Sequence, residues 1–129
     1  MNRLSDEEIL FFTAKPETLP LYEKLREAIT DAVEGTEIEV KKTQVSFKKR
    51  HLFAAVSFTP VRRLRERPPV FLTLTLGLHD PLPSPRVDAA VEVYPNRWTH
   101  HITIGSPEEI DAELLGWIEE AAWLAARKR

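Results

Sequence analysis

Hydrophobic and polar positions along the chain follow two different periods. Apolar side chains recur at helical spacing over residues 5–34, with a break near Pro16, which predicts helices. Over residues 36–104 apolar and polar residues alternate, which predicts β-strands. Helical spacing returns over residues 107–127. We therefore predict an α+β fold: an antiparallel meander of five or six strands, with the N-terminal and C-terminal helices packed on one face of the sheet.

Two local patterns mark the first residues of the terminal helices. Ser5 precedes three acidic residues, and Ser106 precedes Pro107 and Glu109. A serine with a glutamate three residues later is a capping box, and proline is favoured at the first helical position. We expect the C-terminal helix to run from Pro107 to near Arg127.

Strand alternation assigns residues to the two faces of the predicted sheet. One face is apolar and is expected to form the core under the helices; it comprises Ile38, Val40, Val45, Phe47, Leu52, Ala54, Val56, Val70, Leu72, Leu74, Leu76, Ile102 and Ile104. The opposite face is polar; it comprises Gln44, Ser46, Lys48, His51, Phe53, Phe71, Thr73, Thr75, Thr99, His101 and Thr103. Such a face is often simply solvated, but its two phenylalanines favour a contact surface.

Composition narrows the classes of function. The chain has 129 residues, a net charge of -2 and no cysteine. This length fits one domain, residues 1–129, and the missing cysteine excludes disulfides, thiolate zinc sites and cysteine nucleophiles. The longest apolar stretch, Val70 to Leu78, is too short to cross a membrane, and the N-terminus lacks the pattern of a signal peptide. We expect a cytoplasmic protein without membrane association.

Basic residues are concentrated in one part of the chain. Nine of the 18 lysines and arginines lie between Lys41 and Arg67, whereas acidic residues lie mainly in the predicted helices. A basic strand edge and loop could hold a phosphate, a carboxylate or a nucleic-acid backbone. The alternative is that these cations protect a sheet edge from aggregation or are simply solvated.

The adjacent histidines His100 and His101 point to opposite faces of their strand, so one metal ion cannot bind both in regular strand geometry. Because the spacings typical of zinc sites are also absent, we expect no metal site and no cofactor. His100 is expected to lie on the core face with Trp98, and His101 to be available as a ligand contact or general base. No serine-hydrolase motif or glycine-rich phosphate loop is present, so we assign no catalytic residue and favour a protein that is not an enzyme.

Four segments resemble the family known as domain of unknown function 5655. They are residues 40–47, 53–56, 97–102 and 106–109, and the resemblance extends from about Phe11 to Leu124. It implies a small bacterial accessory module with no established activity. The characteristic segments of the family include Lys42, Gln44, Ser46, Trp98, His100 and His101 in this sequence.

We consider three hypotheses about function. The first is a binding module whose polar face holds a small anionic ligand or a protein partner, including a second copy of the chain. The second is a nucleic-acid-binding domain that uses the basic strand edge and loop, and the third is an enzyme with His101 as general base. The candidate ligand-binding residues are Lys42, Gln44, Ser46, Lys48, Arg50, Phe53, Phe71, Thr73, Trp98, His100 and His101.

Overall fold

A computed structural model describes residues 3–128, which form three α-helices and six strands. The helices are α1 (Asp6–Phe12), α2 (Leu19–Ala32) and α3 (Ala112–Arg127), and the strands are β1 (Glu37–Val40), β2 (Val45–Lys49), β3 (His51–Ser57), β4 (Leu72–Leu78), β5 (Ala89–Tyr94) and β6 (Arg97–Ile104). Short 3-10 turns span Pro16–Thr18, Leu64–Glu66 and Pro107–Glu109. Met1, Asn2 and Arg129, at the ends of the predicted domain, lie outside the described residues.

All six strands belong to one antiparallel sheet with the order β1-β2-β3-β4-β6-β5. The predicted α+β fold is confirmed, but the predicted meander is wrong after β4, because β6 lies between β4 and β5. Ile102 and Ile104 of β6 are buried, whereas Val91 and Val93 of β5 are exposed. The more apolar strand therefore takes the inner position, and the connection over residues 79–88 carries the chain past it to the edge.

The core lies between one face of the sheet and the three helices. The register aligns Val45 with Val56, Val56 with Leu74, and Leu74 with Ile102, so one buried apolar row crosses β2, β3, β4 and β6. Helix α3 packs across β2, β3 and β4, and α2 packs against α3. We call the opposite side of the sheet the polar face.

A β-bulge in β3 changes the predicted facing of two residues. Phe47 pairs with Ala54 while Lys48 pairs with Leu52, which leaves Phe53 as an extra residue. Leu52, expected in the core, is 39% exposed, and Phe53, expected on the polar face, is 1% exposed and belongs to the core cluster. The prediction assumed strict alternation, which a bulge breaks.

The start of β4 differs in a similar way. Val70 and Phe71 were expected to alternate as part of this strand, but the strand begins at Leu72, and both residues are partly buried in the preceding loop. The two consecutive prolines Pro68 and Pro69 delay the strand, because proline cannot donate to a sheet ladder.

The two predicted capping boxes are both present, but only the first begins an α-helix. The Ser5 hydroxyl accepts from the backbone N–H of Glu8 at the start of α1. At Ser106 the box closes a 3-10 turn that ends at Ile110, and α3 begins five residues later than expected, with Asp111 as its N-cap. The predicted start of the C-terminal helix at Pro107 is therefore wrong.

Candidate functional site

The strand register arranges the side chains of the polar face in rows. Ser46 lies opposite Ala55, Ala55 opposite Thr75, and Thr75 opposite His101. Directly opposed side chains in an antiparallel sheet approach to about 5 Å. These four side chains thus form one row across β2, β3, β4 and β6.

A recess of about 140 Å³ opens in the polar face beside this row. Short side chains on β3 and β4 form its floor, because Gly77 and Ala55 project little from the sheet. Its lining on the polar face includes Leu52, Ala55, Thr75, Gly77, Arg97 and Thr99. We call it the Arg97 recess.

Arg97 lies across Gly77 within this recess. A Cβ atom on residue 77 would overlap the guanidinium of Arg97, so a side chain at this position would displace the guanidinium from its place over the strand. Arg97 forms no ion pair within residues 3–128. The recess therefore contains a positively charged, planar donor whose hydrogen-bonding capacity is not used by a carboxylate of the described chain.

His101 stands beside the recess and is held by β4. Its Nδ1 lies 3.0 Å from the Thr75 hydroxyl oxygen. Burial lowers the pKa of His101 below its ordinary value of 6.5, so the ring is neutral at pH 7 and can both donate and accept a hydrogen bond. The polar face thus offers a cation at Arg97 and a neutral imidazole at His101.

Two predicted site residues of the polar face are buried and already bonded. The Ser46 hydroxyl accepts from the side-chain amide of Gln44 at 2.9 Å, and the Thr73 hydroxyl donates to the carbonyl oxygen of Thr59 at 2.6 Å. The partners of these two hydroxyl groups are the Gln44 side chain and the carbonyl oxygen of Thr59, which lies in the loop after β3. Ser46 and Thr73 therefore support the sheet and are not accessible to a ligand.

The three cationic residues among the predicted ligand-binding residues, Lys42, Lys48 and Arg50, do not form one site. Lys42 lies in the turn between β1 and β2, whereas Arg50 lies in the turn between β2 and β3, at the other end of the sheet. Lys48 contacts Glu39 at 3.4 Å on the exposed surface. Of these three residues, Lys48 and Arg50 share an end of the sheet with the Arg97 recess, and Lys42 does not.

The remaining predicted residues, His100, Trp98 and Phe71, lie away from the recess. His100 is fully buried on the core side, and its Nε2 accepts from the backbone N–H of Leu82 at 3.0 Å. Burial lowers the pKa of His100, which is therefore a neutral structural residue. Trp98 pairs with Leu78 on the same side and is half-buried, and Phe71 precedes β4.

A family model described as Domain of unknown function (DUF5655) matches residues 8–123. The chain belongs to this family. No curated protein and no solved structure matches the chain significantly. The resemblance carried by residues 40–47, 53–56, 97–102 and 106–109 is confirmed, and the Arg97 recess lies within the part of this DUF5655 chain that the family model covers.

Asp88, which the sequence did not indicate as a candidate, braces the basic loop of this DUF5655 domain. Asp88 accepts from Arg62 Nε at 2.8 Å and from the backbone N–H of Thr103 at 2.8 Å. Burial alone would raise the pKa of Asp88, but the bonds from Arg62 and Thr103 outweigh it and lower that pKa. Arg67 Nε in turn donates to the carbonyl oxygen of Arg62 at 2.9 Å. Two of the loop arginines are thus used within the fold.

The described part of this DUF5655 domain contains neither a metal-binding cluster nor a membrane-spanning helix. Within residues 3–128, no three His, Cys, Asp or Glu side chains lie close enough together to hold a metal ion. Over the same range, no helix combines the length and apolarity that crossing a bilayer requires.

Arg97 itself was missed as a candidate because its neighbours suggested only a turn. Pro95 and Asn96 precede it, and Asn96 has a φ of 65°, in the left-handed region that asparagine tolerates. Gly77 carried a usable signal, since a glycine inside a strand often marks a close approach of another group. What the sequence lacked was the strand order that makes β4 and β6 neighbours.

Proposed function

We propose that this DUF5655 domain is a binding module that holds the anionic group of a small molecule in the Arg97 recess. The observation that carries the proposal is the Arg97 guanidinium lying across Gly77 without an ion-pair partner in the described chain. Arginine suits planar anions because its N–H groups form a fork that matches two oxygens of a carboxylate or phosphate.

The size of the recess limits which part of the ligand it takes. A volume of about 140 Å³ is well below the 300–1,000 Å³ or so that a whole drug-sized ligand occupies. The recess therefore holds the anionic group, and Thr75 and Thr99 add hydroxyl groups beside it. The rest of the ligand lies outside.

A second depression beside the recess offers room for the rest of the ligand. It measures about 210 Å³, shares Arg97 with the recess, and includes Tyr94, Leu124 and Lys128. The Lys128 ammonium lies 5.7 Å from the centre of the Tyr94 ring, so this side offers an aromatic surface and a second cation. A ligand with one anionic group at Arg97 and an apolar or anionic extension towards Tyr94 fits both depressions.

The nucleic-acid hypothesis receives less support from the structure. Arg62 and Arg67 of the basic loop are bonded to Asp88 and to a backbone carbonyl, which leaves Arg63 and Arg65 exposed there. The enzyme hypothesis also lacks an oriented base, since His101 is bonded to Thr75 and to no carboxylate side chain within residues 3–128. We therefore favour binding over either alternative.

The test is calorimetric titration of the full chain with inorganic phosphate, citrate and adenosine monophosphate, with Arg97→Gln as the diagnostic variant. We expect at least one probe to bind, and its affinity to fall roughly 10- to 100-fold in Arg97→Gln, because a hydrogen bond to a charged group contributes about 1.5–3 kcal/mol. The matched control is Arg65→Gln, an exposed arginine of the basic loop, which should bind like wild type.

Two results would contradict the proposal. One is that none of the three probes binds. The other is equal weakening by Arg97→Gln and Arg65→Gln, which would indicate general attraction of anions by the protein instead of a site. If no probe binds and sedimentation shows a dimer, the polar face belongs to self-association.

A further inference from the structure

We propose a second ligand site, independent of the Arg97 recess, that takes a small aromatic carboxylate. It is a cleft of about 360 Å³ where three separate segments meet. These are the end of α1 with Phe11 and Ala14, the β1–β2 turn with Lys42 and Thr43, and the chain after β3 with Phe58 and Thr59. We call it the Phe58 cleft.

The apolar wall of the cleft is a pair of stacked rings. Phe11 and Phe58 have ring centroids 5.0 Å apart and an interplanar angle of 20°. Both are only partly buried, so part of each ring faces the cleft. A flat wall of this kind favours a planar ring, because aromatic groups gain most from offset stacking or edge contacts.

The core holds this wall in place from behind. Phe12 meets Phe11 edge-on at 5.1 Å and Phe58 edge-on at 5.5 Å. Phe12 is itself buried and stacks on the ring of Tyr22 at 4.2 Å. The four rings form one packed cluster, so the cleft is formed before a ligand arrives.

The opposite rim of the cleft is cationic. The backbone N–H of Lys41 donates to the carbonyl oxygen of Gln44 at 2.8 Å, which fixes Lys42 and Thr43 as the two central residues of the turn. Lys42 is exposed and has no ion-pair partner within residues 3–128. An anionic group on the ligand is the chemical complement of this rim.

Size and charge together select the class of ligand. A volume of about 360 Å³ lies near the lower end of the range for small-molecule sites, and it accommodates one or two fused rings. Peptides and second copies of the chain need a far larger apolar surface than two partly buried phenylalanines provide. An aryl carboxylate places its ring on Phe58 and its carboxylate near Lys42.

The Phe58 cleft and the Arg97 recess lie at opposite ends of the sheet. Lys42 precedes β2, whereas the recess lies beside the β2–β3 turn that follows it. The two sites can therefore be occupied separately, and a substitution in one leaves the other intact.

The test is a two-dimensional NMR titration of the ¹⁵N-labelled full chain with 2-naphthoate, using acetate and 2-naphthamide as comparison probes. We expect saturable shifts at Phe11, Ala14, Thr43 and Thr59 with naphthoate. Acetate should give none there, because it lacks the ring. The neutral amide should bind at the same residues but more weakly, because it lacks the charge.

Two variants test the contributions of the aromatic wall and of the cationic rim separately. Lys42→Gln should weaken naphthoate roughly threefold, the scale of one exposed ion pair, and should leave naphthamide unchanged. Lys24→Gln, an exposed lysine of α2, is the matched control and should change neither probe. Phe58→Leu removes one ring of the wall and should weaken both aromatic probes, with circular dichroism confirming that the fold is kept.

Three results would overturn this site. The first is naphthoate shifts that do not saturate or that scatter over the surface. The second is equal affinities of naphthoate for Lys42→Gln and Lys24→Gln. The third is shifts confined to Arg97 and Thr99, which would support the Arg97 recess and at the same time reject the Phe58 cleft.

Discussion

Arg26 Nε lies 2.7 Å from the carboxylate of Glu8, and neither side chain is more than 9% exposed. The Tyr22 hydroxyl donates to the same carboxylate, and the backbone N–H of Ser5 donates to its other oxygen at 2.9 Å. Burial alone would raise the pKa of Glu8, but these bonds outweigh it and hold the pKa below its ordinary value. Glu8 thus completes the capping box at the start of α1 and also fastens α1 to α2.

We expect Glu8→Gln to destabilise the domain by about 3 kcal/mol, because removing one member of a buried ion pair leaves the other charge uncompensated. Chemical denaturation measures the change. Glu7→Gln is the matched control, since Glu7 is exposed in the same helical turn, and it should change the free energy of unfolding by less than about 0.5 kcal/mol. Similar losses in both variants would show that the network does not hold the helices together.

The free energy of unfolding should rise with pH between about 5 and 7. Burial lowers the pKa of His100 below its ordinary value of 6.5, so the unfolded state binds more protons in this range. The contribution of His100 to the free energy of unfolding is therefore fully present above pH 6.5. This contribution is lost as the pH falls towards the folded-state pKa, by at most about 1.4 kcal/mol per pH unit for one histidine.

The variant His100→Gln should reduce this dependence to the part that His101 contributes, because burial lowers the pKa of His101 as well and glutamine offers Leu82 an acceptor without titrating. Denaturant titrations at several pH values measure the slope. His79→Gln serves as the control because His79 is exposed, and it should keep the slope of the wild type. An unchanged slope in His100→Gln would mean that His100 does not contribute to the pH dependence.

Arg50→Gly should stabilise the domain. Arg50 has a φ of 70° in the β2–β3 turn, and the left-handed region costs a residue with a Cβ atom about 1 kcal/mol, which glycine avoids. Thermal denaturation should show a higher midpoint. Asn96→Gly is the comparison, with a φ of 65°; it should gain less, because asparagine tolerates this region. A lower midpoint in Arg50→Gly would mean that the arginine side chain supports the turn.

Asp88→Asn should loosen the basic loop. The Asp88 carboxylate accepts from Arg62 with one oxygen and from the backbone N–H of Thr103 with the other. Asparagine has a single, uncharged acceptor oxygen, so it cannot replace both of these bonds. Trypsin should therefore cleave after Arg63 or Arg65 several times faster than in the wild type. Asp80→Asn, at an exposed aspartate, should leave the cleavage rate unchanged; equal rates in wild type and Asp88→Asn would mean that the loop is held by other contacts.

The sequence predicted the parts of the fold that depend on local pattern. The alternation of apolar and polar residues located the strands, and the serine-glutamate spacing located α1. Each of these signals is formed by residues that lie within a few positions of one another in the sequence. It did not predict the bulge at Phe53, since the alternation there continues unbroken in the sequence. The place of β6 was also missed, because strand order depends on pairing between distant segments.

In the candidate site, too, only the features that depend on local sequence pattern were predicted. His101 and Lys48 were placed correctly on the polar face, because alternation alone decides their facing. Arg97 and Gly77 were not recognised, since their approach depends on the pairing of β4 with β6. The Phe58 cleft joins three segments that are far apart in the chain, and no local pattern brings them together.

The position of β6 between β4 and β5 also affects how the chain assembles during synthesis. β5 leaves the ribosome before β6, yet it has no strand to pair with until β6 arrives, because its contacts in the sheet are with β6. A nascent chain synthesised only as far as Tyr94 would therefore expose the unpaired edge of β4, a strand that contains the buried residues Leu74 and Leu76. An unpaired strand edge of this kind is a template for aggregation. The sheet can be completed only when β6 pairs with both β4 and β5.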